Sequence, residues 1–249
     1  MTKRLTDKML IWAHRGASAY APENTLEAFQ LAVDMKADGV ELDVHFSRDG
    51  KVIVAHDAKI DRMSNGQGMI ADYTYDELQV FNFNNKKEGF KNIRVPTLDQ
   101  VYALLAPTGL WVNVEIKAGD AELAKACVEI AAKYGMTDRV LYSSFNHLQL
   151  TRVHDVDASL PIAPLYSFNM IKPWLYAQNM GAMATHPNAA QLSTFPEYVE
   201  ECHKLGIRVH PWTVDDEETI RFLWQAGADA IITNKPDFAR QVIEACEAE

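Results

Sequence analysis

Two stretches of the chain alternate apolar and polar residues with a period of two. Val40, Leu42 and Val44 share one face, and Glu41 and Asp43 the other. Further on, Val112, Val114 and Ile116 oppose Asn113, Glu115 and Lys117. That period predicts strands with one apolar and one polar face. Short apolar runs over 9–13, 139–143, 162–166, 182–185, 207–212 and 228–233 are further strand candidates. Between them lie segments of helical character over 24–36, from 98, and over 121–134, 146–153, 172–179, 196–205, 217–225 and 237–246. Asn24, with Glu27 three residues on, is the expected N-cap of the first helix. Strands alternating with helices predict parallel strands joined by crossover helices.

The stretch GVELDVHFSRDGKVIVAHD, residues 39–57, interrupts that rhythm. Asp49-Gly50 between two apolar runs predicts a two-residue hairpin turn, so 51–56 pairs antiparallel with the strand before it. It therefore drops out of the count of parallel strands and leaves eight, which in a chain of 249 residues is the size of a (β/α)₈ TIM barrel. An open doubly wound sheet is the alternative, but no glycine-rich fingerprint follows the first strand. Residues 57–95 carry no long periodic run and are expected to form an insertion on the barrel rim after the second strand. Some forty residues make a marginal core alone, so residues 1–249 are expected to form a single domain.

Composition narrows the possible partners. Lys plus Arg is 24 against Asp plus Glu 34, a formal charge of −10, which argues against nucleic acid or an anionic membrane surface. A small anionic substrate is still allowed, because a local cation overrides the global field. The N-terminal apolar run is broken by His14 and Arg15, unlike a signal peptide. No apolar stretch reaches the roughly 20 residues that span a bilayer. Cys127, Cys202 and Cys246, odd in number and scattered through helix-like segments, read as packing residues and predict a reducing, cytoplasmic location.

In such a barrel, chemistry sits at the C-terminal ends of the strands, where Asp43, Glu115 and Lys117 fall. An inward acidic pair taken alone reads equally as a buried salt bridge. A third inward acid, Glu115, with His14 at the end of the first strand, favours a metal site formed by Glu41, Asp43 and Glu115. All-oxygen ligands suit Mg²⁺ or Ca²⁺ better than Zn²⁺. His14 and His56 each end a strand on the same rim and suggest a general acid and a general base, the alternative being hydrogen-bonded structural histidines. Arg15 and Lys117 supply the positive charge an anionic reactant needs, or else pair with the acids. Trp212 either walls the pocket against an apolar or choline-like group or packs in the core. His45, His186 and His210 read as structural, and Asn234 and Lys235 lie just past the last strand.

The runs HRGASAYAPENTLEAF, ELDVHFSRDGKVIVAHD, RMSNGQGMIADYT, VPTLDQV, NVEIK, PWTVDD and DAIITNKP closely resemble the bacterial glycerophosphodiester phosphodiesterases, within the barrel superfamily of phospholipase-C-like phosphodiesterases. The resemblance covers nearly the whole chain. It implies His14 and His56 as the acid-base pair, Glu41, Asp43 and Glu115 as ligands of a divalent ion, and Arg15 and Lys117 on the phosphate. It further implies hydrolysis of small-molecule glycerophosphodiesters, such as glycerophosphocholine or glycerophosphoethanolamine, to sn-glycerol 3-phosphate and an alcohol, with residues 57–95 shaping the glycerol pocket. Two departures stand out: Phe46-Ser47 where the family often has a threonine nearby, and Asn234 where an aspartate is common. The rivals are a lyase releasing a cyclic phosphate, a Schiff-base aldolase using Lys117, and a binding module without turnover.

Overall fold

The computed structural model describes residues 4–117, 119 and 121–249. Among the described residues nine strands are formed: β1 (Leu10–His14), β2 (Gly39–Phe46), β3 (Val52–Val54), β4 (Trp111–Ile116), β5 (Val140–Ser144), β6 (Ile162–Tyr166), β7 (Ala184–Pro187), β8 (Arg208–Val209) and β9 (Ala230–Thr233). Eight of them run in the parallel order β8-β7-β6-β5-β4-β2-β1-β9, and β3 lies off this path, paired antiparallel with β2. Backbone hydrogen bonds between the chain at β9 and that at and after β8 close the ring: Asp229 N–H to Val209 O at 3.1 Å, Ile232 N–H to Pro211 O at 3.0 Å and Val214 N–H to Ile232 O at 2.9 Å. The result is the (β/α)₈ barrel expected from the strand count.

Helices return the chain between strands: α1 (Leu26–Asp34), α2 (Tyr75–Leu78), α3 (Leu98–Leu105), α4 (Ala121–Lys133), α5 (Leu148–Val156), α6 (Pro173–Asn179), α7 (Ala190–Thr194), α8 (Tyr198–Lys204), α9 (Glu217–Ala226) and α10 (Pro236–Ala248). Caps fix several of their ends. Thr97 and Gln100 form a reciprocal capping box on α3, Asp216 accepts from Thr219 N–H to start α9, and Gly227 ends α9 at a φ of +87°. The short α7 was not anticipated, being too brief for a helical period to show.

Two local expectations are corrected. The cap of α1 is Thr25, whose hydroxyl accepts from Ala28 N–H, and not Asn24. Asn24 instead takes a left-handed φ of +56°, which turns its side chain to Asp43. The hairpin has a three-residue loop, Arg48-Asp49-Gly50, rather than a two-residue turn. Gly50 N–H donates to Ser47 O at 3.0 Å and Ser47 N–H to Lys51 O at 2.9 Å, with Gly50 at a φ of +75°. This is a turn closed by a bulged left-handed glycine. The same two arms pair, with Val44 opposite Val54 and Phe46 opposite Val52.

The apolar face of β2 and β4 is sealed under the helices: Val40, Leu42, Val44, Val112, Val114 and Ile116 are fully buried in the main core. Inside the barrel Trp12, Leu141, Ala163, Ala184, Ala230 and Ile232 pack against one another. The rim segment after β3 has its own small core, in which Ile60, Met63, Ile70, Leu78 and Phe83 join Ile53 and Ala55 of the hairpin. Each fully buried aliphatic side chain there contributes about 1.5–3 kcal/mol. At the other side of the mouth Gly16 has a φ of +78°, and a Cβ there would come within 2.6 Å of the Ala28 backbone. Only glycine lets the loop after β1 lie that close to α1.

Candidate active site

Strand register assembles the acids. His14 on β1 is level with Glu41 on β2, Glu41 with Asn113 on β4, and Asp43 with Glu115. Because alternate residues point inward, Glu41, Asp43 and Glu115 converge inside the barrel, each offering an oxygen within 4.8 Å of the others. All three are buried. Two cations answer them. Lys117 Nζ lies 2.5 Å from Glu115 Oε1 and 2.8 Å from Asp43 Oδ1, and Arg15 Nε lies 3.3 Å from Asp43 Oδ2. Arg15 N–H donates to Glu41 Oε2 at 3.0 Å, and Asn24 Nδ2 donates to Asp43 Oδ2 at 2.8 Å.

The electrostatics are uneven across this group. Burial, then Lys117 and Arg15, act on Asp43; the cations win and hold it below the usual carboxylate range. Burial, reinforced by Asp43, pushes Glu115 up to about 7 despite its contact with Lys117. Glu41 is raised well above the ordinary range by burial and by its two acidic neighbours. Two buried carboxylates are thus under-compensated, and a divalent cation among these oxygens would supply the charge they lack. The donor set is all oxygen, which fits a hard ion. Burial disfavours the charge on Lys117, but Asp43 and Glu115 outweigh it and keep the ammonium. That state does not suit a Schiff-base nucleophile.

His14 is oriented by a relay. Its Nδ1–H donates to Asn234 Oδ1 at 2.7 Å, which also accepts from Ser18 Oγ at 2.7 Å. Asn234 Nδ2 in turn donates to Asp215 Oδ2 at 2.5 Å, and this sets which end of the amide faces the imidazole. With Nδ1 protonated, Nε2 carries the lone pair, 3.9 Å from Glu41 Oε2. Burial and then Arg15 push the His14 imidazolium down to about 4, so the ring is neutral at pH 7.

His56 arrives from the hairpin. Its Nδ1 meets Asp57 Oδ1 at 2.5 Å and its carbonyl accepts from His45 Nε2 at 3.0 Å. Asp57 is gripped by Arg62 Nε at 2.7 Å, and Arg62 also bonds Glu23, which reaches Arg15 at 3.1 Å. The Arg62 hydrogen bonds outweigh burial and hold the Asp57 carboxyl down at about 2.

These groups open onto one cavity of about 260 Å³. Its polar wall is His14, Arg15, Glu41, His56, Asn113 and Glu115, and its apolar wall is Phe145, Leu165, Trp212 and Ile232. Phe145 stands edge-on to Trp212 at 5.4 Å, and Trp212 Nε1 donates to His186 O at 2.8 Å. Of the residues expected from sequence, His14, Arg15, Glu41, His56, Glu115 and Trp212 line the cavity. Asp43 and Lys117 are not among its lining residues but join it through the Lys117 bond to Glu115.

A family model described as the glycerophosphoryl diester phosphodiesterase family matches residues 14–238. The chain belongs to that family. Members of the glycerophosphodiester phosphodiesterase family similar to it include an enzyme from Caldanaerobacter subterraneus subsp. tengcongensis, 40% identical over 238 residues, covering 92% of this chain and 96% of the relative. Among solved structures, the glycerophosphodiester phosphodiesterase of Agrobacterium tumefaciens is 29% identical with a TM-score of 0.82, covering 93% of this chain and 99% of its own. A phosphodiesterase of Oleispira antarctica, in complex with the product sn-glycerol-3-phosphate, is 25% identical with a TM-score of 0.89, covering 94% and 96%. Family membership makes the chain a phosphodiesterase, as its motifs imply. No helix among the described residues is long and apolar enough to cross a membrane.

Several side chains that shape the site were not picked out from the sequence as part of it: Glu23, Asn24, Arg62, Asn113, Phe145, Leu165 and Asp215. Asn113 had a visible signal, its place on the polar face with Glu115. Asn234 was noted for its position after the last strand and as standing where the family commonly has an aspartate. Its bond to His14 spans 220 residues and has no local signature.

Proposed function

We propose that this protein hydrolyses glycerophosphodiesters, such as glycerophosphocholine or glycerophosphoethanolamine, to sn-glycerol 3-phosphate and a free alcohol. The observation that carries the reading is that two imidazoles with carboxamide and carboxylate partners on Nδ1 face one cavity whose wall holds two of three converging carboxylates. Glu41, Asp43 and Glu115 would hold one Mg²⁺ or Ca²⁺. When bound, such an ion neutralises phosphate charge and acidifies a neighbouring hydroxyl. His14, neutral with its Nε2 lone pair toward the cavity, takes the proton of the attacking water. His56 gives a proton to the departing alkoxide as the new P–O bond forms and the old one breaks. Arg15 faces the phosphate, while Lys117 fixes Asp43 and Glu115 and adds positive charge behind them. Trp212 and Phe145 form the apolar wall for the leaving alcohol. The barrel and its insertion act as one catalytic unit on a small-molecule substrate. The three buried free thiols agree with a reducing, cytoplasmic setting.

Turnover of glycerophosphocholine and glycerophosphoethanolamine with added Mg²⁺ or Ca²⁺, followed by phosphorus NMR, tests the reading. The expected products are glycerol 3-phosphate and the alcohol, with activity abolished by a chelator and restored by the ion. Full activity in chelator removes the metal; accumulation of a cyclic phosphate as end product makes the enzyme a lyase.

A further inference from the structure

Asn113 lies inside the barrel on β4, level with Glu41 and two residues before Glu115. The residue is 1% exposed and lines the cavity, yet neither its amide oxygen nor its amide nitrogen has a hydrogen-bond partner among the described residues. Buried polar groups in native proteins are paired, so an amide with both atoms free marks a place where something else supplies the partners. The other two carboxamides around the site behave differently. Asn24 is engaged with Asp43, and Asn234 with His14, Ser18 and Asp215. The chemistry of the free amide narrows its partner. A phosphate oxygen only accepts and would satisfy Nδ2 alone, and a cation would satisfy Oδ1 alone. An alcohol hydroxyl donates and accepts, and matches both atoms.

We propose that Asn113 binds a hydroxyl of the glycerol half of the substrate and thereby selects polyol phosphodiesters. The proposal rests on the hydrolytic reading above and adds an orientation to it. The glycerol half goes down to Asn113, and the leaving alcohol lies toward Phe145, which is 47% exposed at the mouth. An aliphatic chain reaching Asn113 leaves both amide atoms unpaired, which is how a site built for a hydroxyl rejects a deoxy analogue.

Titration calorimetry of the wild-type enzyme with glycerol 3-phosphate and with propyl phosphate, which lacks both hydroxyls, tests this without any variant. Glycerol 3-phosphate is expected to bind at least about tenfold more tightly. Equal affinities overturn the proposal. Asn113→Leu, close in size, removes only unpaired atoms, so its melting temperature is expected to hold or rise. It should lose that tenfold preference and raise KM for glycerophosphoethanolamine, while turnover of bis(4-nitrophenyl) phosphate, which has no hydroxyl, stays level. An equal fall on both substrates, or weakened Mg²⁺ or Ca²⁺ binding by calorimetry, assigns Asn113 to the metal or the structure and overturns the proposal. Wild-type enzyme that prefers glycerol 3-phosphate but turns over no glycerophosphodiester sinks the hydrolytic reading and leaves Asn113 as a hydroxyl-binding residue.

Discussion

The barrel wall and the rim insertion bring different things to the same cavity. Glu41, Asp43 and Glu115 sit on adjacent strands backed by fully buried valines, leucine and isoleucine, and almost no water reaches them. His56 and Asp57 have side chains about 32% and 31% exposed, and they hang from a hairpin that leads into a small separate core. The wall fixes charge in a low-dielectric setting, where small displacements are costly. The hairpin and insertion bring the second imidazole to the cavity, held by a partly exposed network of Asp57, Arg62 and Glu23 that water and salt can weaken. Rigidly held charge and a more adjustable imidazole are thus built from different kinds of structure.

The largest effects test the wall. His14→Ala should lower kcat by about 10²–10⁴ with folding intact, measured with glycerophosphocholine and circular dichroism. Glu41→Gln should lose activity while its melting temperature rises, because the Glu41 carboxyl is held far above its unfolded value and its ionisation opposes folding at pH 7. A variant with lost activity and a lower melting temperature would count against strain stored at Glu41.

The next prediction separates the two cores. Leu78→Ala and Leu42→Ala each remove a fully buried side chain, at a cost of about 2–5 kcal/mol. Leu42→Ala should lower the global melting temperature. Leu78→Ala should instead speed amide hydrogen exchange over residues 57–95 and lower kcat before it lowers global stability. Uniform exchange in both variants would erase the distinction between the cores.

Acid should strike the barrel first. Burial pushes His186 down to about 3, and burial with His186 pushes His210 well below its ordinary value. Their stability is whole above the unfolded value near 6.5 and is lost as pH falls, since the unfolded chain takes protons the native one refuses, at up to about 1.4 kcal/mol per pH unit for each. Asp57 has the depressed carboxyl of about 2, so its lattice holds until pH falls below the ordinary 3.8. Denaturant melts from pH 7 to 4 should therefore show falling stability, with a shallower slope in His186→Gln. The smallest effect belongs to Arg62→Ala, within about 1 kcal/mol of stability. It should also lower kcat a few-fold and make kcat less sensitive to salt.

What could be read from sequence follows from how local each signal is. The alternation at 40–44 and 112–116 showed both the strands and their inward acids, because period two needs no partner to be visible. The hairpin arms were legible, but the loop length was not: Asp49-Gly50 suits a two-residue turn as well as the observed loop ending in a left-handed Gly50. Asn24 and Thr25 are both good caps, and what decided between them was Asp43, 19 residues away, claiming Asn24. The insertion's core escaped notice because its apolar residues meet through irregular loops, as where Gly66 lets Phe81 and Ile60 close over it.

Glu23 has a consequence beyond holding Arg15. From the loop after β1 it bonds Arg62 of the insertion twice, at 2.7 and 3.0 Å, and accepts from Asn85 at 3.3 Å. The insertion is therefore portable only with its latch. A segment 56–95 exchanged between relatives would carry its own His-Asp pair, yet would aim it correctly only where the recipient barrel offers a carboxylate at position 23 and the donor brings a guanidinium at 62. Natural recombination and deliberate loop grafting meet the same condition, so compatibility between barrel and rim comes down to a match of two residues far apart in the chain.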